Sequence, residues 1–139
     1  MSGKHLSNRD KRFLTICKEN AAKNTTNPKW RFYAILATGR RILSRGENKT
    51  YKTNPNAFNH AQKLNGYDSD CFIVNSVHAE LDCILNSKRE DLSNTTLYIA
   101  RDNDLASRPC WLCLAYIKKA GIKRIVYNTG CGSAVEYLD

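Results

Sequence analysis

"TTLYIARDNDLASRPCWLCLAYIKKAGIKRIVYN", residues 95–128, sets a helical run between two β-type runs, and that order decides the fold. "TTLYIAR" (95–101) is rich in β-branched and aromatic residues and reads as a strand. "PCWLCLAYIKKAG" (109–121) reads as a helix, with Pro109 expected in its first turn and Gly121 as its C-terminal stop. "IKRIVYN" (122–128) is a second strand. A strand–helix–strand succession implies a parallel crossover.

Upstream, "SVHAELDCILNS" (76–87) predicts another helix, with Ser76 as N-cap and Leu81, Ile84 and Leu85 on one face. "RFYAILATG" (31–39) and "RRILSRGEN" (40–48) are β-rich runs that meet at Gly39, which predicts a hairpin. Near the start, residues 9–22 place Phe13, Leu14, Ile16 and Cys17 at helical spacing. Residues 49–72 are rich in Asn, Asp, Gly and Lys, and predict a substrate-facing loop with a short helix near Phe58–Leu64. The closing "TGCGSAVEYLD" has room for one more short element, whose type stays unassigned. The hairpin makes the sheet mixed, and the expected fold is a three-layer α/β/α sandwich forming a single domain over residues 1–139.

Composition narrows the class. Hydrophobic residues make up 42% and charged ones 25% of the 139 residues, a globular balance. No apolar run approaches the roughly 18–20 residues of a membrane span. The opening "MSGKHLSNRDKRF" is polar and basic with no apolar signal core, so the expected location is cytoplasmic, with no membrane partner. In a reducing compartment, six cysteines point to metal binding or catalysis before disulfides. The net charge of +9 favours anionic partners such as nucleotides or nucleic acid. Part of it is clustered, in Arg40, Arg41, Arg45, Lys49 and Lys52 and again in Lys118, Lys119, Lys123 and Arg124; solvated basic faces with no specific role account for these clusters equally well.

Two groups of metal-type residues fall at the starts of consecutive helices, His78-Ala79-Glu80 and Cys110-Trp111-Leu112-Cys113. Residues at i and i+3 share a helix face, so both sulfurs can address one ion. Both helices are expected to start after strands of the same sheet, so their N-termini lie side by side at one edge, where the helix dipoles favour thiolate. His78, Cys110 and Cys113 supply one nitrogen and two sulfurs, and three protein ligands are the mark of a catalytic zinc, whose fourth position takes water. Cys71, Cys83, Cys131 and His60 are the other candidate ligands, at no recognisable spacing. Glu80, two residues beyond the histidine, can reach the water without binding the ion. A structural zinc or a redox pair is the alternative for the two cysteines. Cys17, Cys83 and Trp111 are expected in the core.

H-x-E followed by P-C-x-x-C is the signature of zinc deaminases that act on nucleobases. On "HAELDCI", "RPCWLC", "AGIKRIVY" and "ILSRGEN" the chain resembles the cytidine and deoxycytidylate deaminase superfamily from about Arg31 to Tyr127. The histidine as first ligand separates it from small cytidine deaminases that use cysteine there. "SRPC" lacks the acidic residue usual before the proline in tRNA adenosine and guanine deaminases, so the resemblance is greatest to compact phage and bacterial deoxycytidylate (dCMP) deaminases. "NSVHAE" departs from many of these in having no threonine two places before the histidine.

The resemblance implies a cytidine deaminase-like fold, a Zn2+ cofactor and a nucleotide substrate. It implies attack by a zinc-bound hydroxide on the amino-bearing ring carbon, with Glu80 as proton shuttle. By the same likeness Asn48 binds the sugar, and Ala79 and Pro109 hold the base edge. Lys49 and Lys52 are candidates for the phosphate, and ordinary loop lysines otherwise. Tyr51 and Phe58 could stack on a base or pack on their own domain. A homo-oligomer is expected by analogy. Two other functions compete: deamination of a base within tRNA or single-stranded DNA, and a non-catalytic deaminase-like binding module.

Overall fold

The computed structural model of the chain describes residues 6–23, 31–50, 76–87, 91–102 and 106–138. Of the expected loop over 49–72, residues 51–72 lie outside them, and with these the short helix, Tyr51, Lys52, Phe58, His60 and Cys71, whereas Lys49–Thr50 form a strand.

Helix α1 (Asn8–Ala21) opens with a capping box: the Ser7 hydroxyl accepts the Asp10 N–H and the Asp10 carboxylate accepts the Ser7 N–H, each at 3.0 Å. Its buried stripe is Phe13, Leu14, Cys17 and Ala21, as the spacing predicts. Strands β1 (Phe32–Thr38) and β2 (Arg41–Glu47) form the expected antiparallel hairpin, with a register shift between Leu36 and Ala37. Strands β3 (Lys49–Thr50) and β4 (Ser76–Val77) make a separate two-stranded antiparallel pair. Next come α2 (Ala79–Ser87), β5 (Thr96–Arg101), α3 (Trp111–Lys119), β6 (Arg124–Asn128) and β7 (Ser133–Tyr137).

The five-stranded sheet runs β2-β1-β5-β6-β7. Only β5 and β6 are parallel, joined by the α3 crossover; β1 is antiparallel to both β2 and β5, and β7 is antiparallel to β6. Alternation along the strands feeds two cores. Ile35, Ala37, Tyr98, Ala100, Val126 and Val135 pack with Phe13, Leu14 and Cys17 of α1. Ala34, Leu36, Leu97, Ile99, Ile125 and Tyr127 pack with residues of α2 and α3. The architecture is the mixed three-layer α/β/α sandwich expected.

Four local expectations, counting the placement of α2 after a strand of the main sheet, are corrected, and one open stretch is filled. Ser76 is not a helix cap: with Val77 it pairs with Lys49–Thr50, so α2 starts later and His78 takes the cap position, its carbonyl accepting the Asp82 N–H at 3.0 Å. That also means α2 does not follow a strand of the main sheet. Pro109 lies just ahead of α3, because Cys110 keeps extended backbone (φ −68, ψ 166) and is itself the N-cap. The unassigned C-terminal stretch is β7.

The fourth correction concerns Arg124, which leaves the exposed basic cluster to pair with Asp10 at 2.6 Å and 2.9 Å. Tyr98 donates its hydroxyl to the same carboxylate at 2.8 Å. Burial pushes the Asp10 carboxyl up, but the hydrogen bonds from Arg124, Tyr98 and Ser7 outweigh it and hold it well below the usual range.

Gly121 ends α3 as expected. At φ 92 it closes a Schellman motif, in which its N–H donates to the Lys118 carbonyl at 3.0 Å and that of Ile122 to the Ile117 carbonyl at 3.3 Å.

Candidate metal centre and active site

The N-terminal ends of α2 and α3 converge, and the side chains there meet. His78 Nδ1 stands 3.2 Å from Cys113 Sγ and 3.8 Å from Cys110 Sγ, and the three donor atoms all lie within 4.8 Å of one another. Four tetrahedral zinc ligands at about 2.0–2.3 Å from the ion stand roughly 3.3–3.8 Å apart, so this spacing and this N,S,S donor set fit zinc. Among the described residues no fourth His, Cys, Asp or Glu joins the cluster. Cys83 is buried against Ser44, and Cys131 is exposed in the β6–β7 turn. Among the described residues no two cysteines are joined by a disulfide.

The thiols differ in a way the surroundings explain. A hydrogen bond from Cys113, opposed by burial and assisted by His78, draws the Cys110 thiol down to about 3, a thiolate ready for a cation. Cys83 and Cys17 are the opposite case: burial pushes Cys83 up to about 12 and Cys17 well up, and both are core residues as expected. Glu80, in the first turn of α2, is only 5% exposed. Burial pushes its carboxyl up and the charge of His78 draws it part of the way back. A carboxyl so placed can take and return a proton, which is what a shuttle requires.

The other expected site residues are placed unevenly. Ala79 and Pro109 are buried beside the ligands in the chain. Asn48 is buried, and its Oδ1 accepts the Phe32 N–H at 2.9 Å. It directly precedes Lys49, which pairs with Val77, so the β3–β4 pair brings Asn48 alongside the approach to His78. Trp111 is not core but 50% exposed. The buried stripe of α3 is Leu112, Cys113, Tyr116 and Ile117, and Trp111 at the first helical position lies off it.

Several residues that build the site were not singled out from the sequence. Ser44 donates its hydroxyl to the Cys83 carbonyl at 2.8 Å, Asp82 accepts the Glu47 N–H at 3.1 Å, and Asn86 donates to the Arg45 carbonyl at 2.9 Å. These bonds lay α2 across β2, and Gly46 lets it come close. A Cβ on Gly46 would stand 2.5 Å from the Ala79 carbonyl oxygen and 2.7 Å from Cys83 Cα. The "RGEN" glycine was the available signal, since a glycine inside a strand marks close backbone approach. Gly46→Ala is expected to push α2 outward, cost about 1–3 kcal/mol as overpacking does, and cut activity through displaced His78 and Glu80. Denaturant melts and turnover of the purified variant check this, and wild-type values for both would refute it.

Known proteins give the same picture. Residues 7–129 match the family model described as the cytidine and deoxycytidylate deaminase zinc-binding region. A curated relative, the deoxycytidylate deaminase of Mycobacterium phage D29, is 30% identical over 125 residues, covering 85% of this chain and 92% of the relative. Among solved structures, the apo dCMP deaminase of cyanophage S-TIM5 superposes with a TM-score of 0.58 at 17% identity, over 87% of this chain and 82% of that one. The same enzyme in complex with dCMP and dUMP gives a TM-score of 0.57 at 18% identity, over the same shares. A structure from work on A-to-I editing by tRNA wobble-position deaminases gives 0.51 at 20% identity, over 83% of this chain and 72% of that one. At these identities the structures speak for the fold. The family match rests on the sequence, and it covers the converging helix ends described above: the chain belongs to the cytidine and deoxycytidylate deaminase zinc-binding family and is a zinc-dependent deaminase.

Proposed function

We propose that the chain hydrolyses the amino group from a cytosine nucleotide, dCMP to dUMP in type. The observation that carries this is Glu80, buried two residues along the chain from His78 and close enough to feel the charges of His78 and Cys110. The phage relative, a deoxycytidylate deaminase by name, supports the choice of substrate. Zinc held by the three side chains supplies Lewis-acid activation of water near neutral pH. Glu80 accepts a proton from the attacking water and places it on ring nitrogen N3, as oxygen adds to C4. It then carries the remaining proton of that water to the amino group, which leaves as ammonia. Asn48 holds the sugar, backbone groups of Ala79 and Pro109 hold the base edge, and Lys49 and Lys52 serve the phosphate. A homo-oligomer and a cytoplasmic setting belong to this proposal.

A second reading, deamination within a polynucleotide, is favoured by Arg40, Arg41 and Arg45, all exposed at the edge strand β2 and its turn. One panel separates the readings: dCMP, CMP, deoxycytidine, dAMP, cytosine-containing single-stranded DNA and an adenosine-containing tRNA, with product measured by chromatography. Conversion of dCMP to dUMP is the expected result. Conversion of a polymer alone, falling steeply with salt, would move the function to editing. No conversion by zinc-loaded protein would favour a binding module.

A further inference from the structure

The loop that delivers Cys110 is tied to the sheet from several directions. Buried Ser107 donates its hydroxyl to the Ile99 carbonyl at 2.8 Å, accepts the Asn128 N–H at 2.9 Å, and donates its own N–H to the Asn128 carbonyl at 2.9 Å. One serine thus fastens the loop to both parallel strands. Arg108, the next residue, donates from Nε and Nη2 to the two carboxylate oxygens of Glu136 at 3.0 Å and 2.9 Å. Tyr127 donates its hydroxyl to Glu136 Oε1 at 2.8 Å. Glu136 stands opposite Ile125 on β7, so it shares the sheet face that carries Ile125, Tyr127 and the packed α3.

This ion pair is half exposed, with side-chain exposures of 50% for Arg108 and 31% for Glu136. Pairs in that setting contribute little to global stability. What the pair does have is direction. A bidentate guanidinium–carboxylate contact fixes the plane and heading of the arginine. Pro109, with φ locked, then passes that heading to Cys110 through few free torsions.

We infer that Glu136, acting through Arg108, is a positioning residue for the metal centre: the Tyr127–Glu136–Arg108 chain holds the Pro109–Cys110 corner where both thiols meet His78. The inference rests on His78, Cys110 and Cys113 being the zinc ligands. Partners bonded directly to metal ligands change metal affinity by about 10–100-fold when removed, and a chain one step further out is expected at the low end of that range. β7 and Arg108 therefore belong to the site although neither touches the ligand atoms.

The test is the rate at which zinc-loaded protein gives up its metal to a chromophoric chelator, read beside the unfolding midpoint of the metal-free form. Wild type is compared with Cys110→Ser, Glu136→Gln, Arg108→Glu, and the exchanged pair Arg108→Glu with Glu136→Arg. Glu136→Gln and Arg108→Glu are each expected to release zinc about tenfold faster with a nearly unchanged metal-free midpoint. The exchanged pair is expected to recover most of that loss, which a general packing defect would not. A wild-type release rate in Glu136→Gln, or an exchanged pair as fast as the single variants, overturns the inference. Undiminished zinc binding by Cys110→Ser would overturn it by a separate route, through the ligand assignment itself.

Discussion

Glu80→Gln is expected to lower kcat by about 10²–10⁴-fold or more while the protein still folds and still binds one zinc. The amide fills the same volume in a site where the native side chain is almost wholly enclosed, so the core of α2 keeps its packing. What it cannot do is accept a proton and hand it on, and the proposed reaction needs that twice per turnover. The variant also separates the shuttle from the ligands: loss of Cys110 or His78 should remove metal and activity together, whereas Glu80→Gln should remove activity alone. Product formation by chromatography and zinc content by elemental analysis decide it. A Gln variant within tenfold of wild type would end the shuttle role.

The largest effect on stability is expected far from the chemistry. Asp10→Ala leaves Arg124 facing a buried position without its carboxylate, strips Tyr98 of its acceptor and removes half of the capping box. Breaking a buried ion pair from one side costs about 3–5 kcal/mol, and the partial exposure of Arg124 places this case toward the lower end. In a domain of this size that lowers Tm by on the order of 10 °C. Replacing both partners, Asp10→Leu with Arg124→Met, should recover part of the loss, because no lone charge remains. The pH dependence has a definite sign. The folded carboxyl lies below the unfolded value of about 3.9, so the pair stabilises fully above about pH 4 and its contribution falls away as pH drops toward the depressed folded value. Denaturant melts from pH 3 to 7 should therefore show an acid slope in wild type that is shallower in Asp10→Ala. Equal slopes would remove Asp10 from the account.

What the sequence made legible was local or doubly marked. The stripe Phe13, Leu14, Cys17 of α1, the break at Gly39 and the β5–α3–β6 succession each declare themselves within a few residues. The grouping of His78, Cys110 and Cys113, which the fold brings together, was legible because ligand chemistry restricts residue type as well as spacing. The misreadings at Ser76 and Arg124 share another cause: their partners are remote in the chain. Ser76 and Val77 look like the entry to a helix until Lys49 and Thr50 pair with them. Arg124 looks like one of a basic cluster, yet its carboxylate is 114 positions away. β7 is short and starts after two glycines, and it is defined by β6 beside it. Trp111 was judged by its hydrophobicity, when its angular position on α3 decides its exposure.

The stitching of Ser107 to β5 and β6 also bears on the order in which the chain is expected to fold. Cys110 and Cys113 are near neighbours in any conformation, but His78 is 35 positions from Cys113, and Ser107 meets Asn128 across 21. Contacts of such separation form only after loop closure, so the complete donor set is a late product of folding. A metal ion meeting the unfolded chain finds two thiols close together and the histidine far off along the chain; it is expected to find all three donors in place once β5 and β6 have paired and α3 has docked. Zinc uptake in a refolding experiment is then a clock for the parallel pair, lagging the appearance of helix and keeping pace with burial of the sheet.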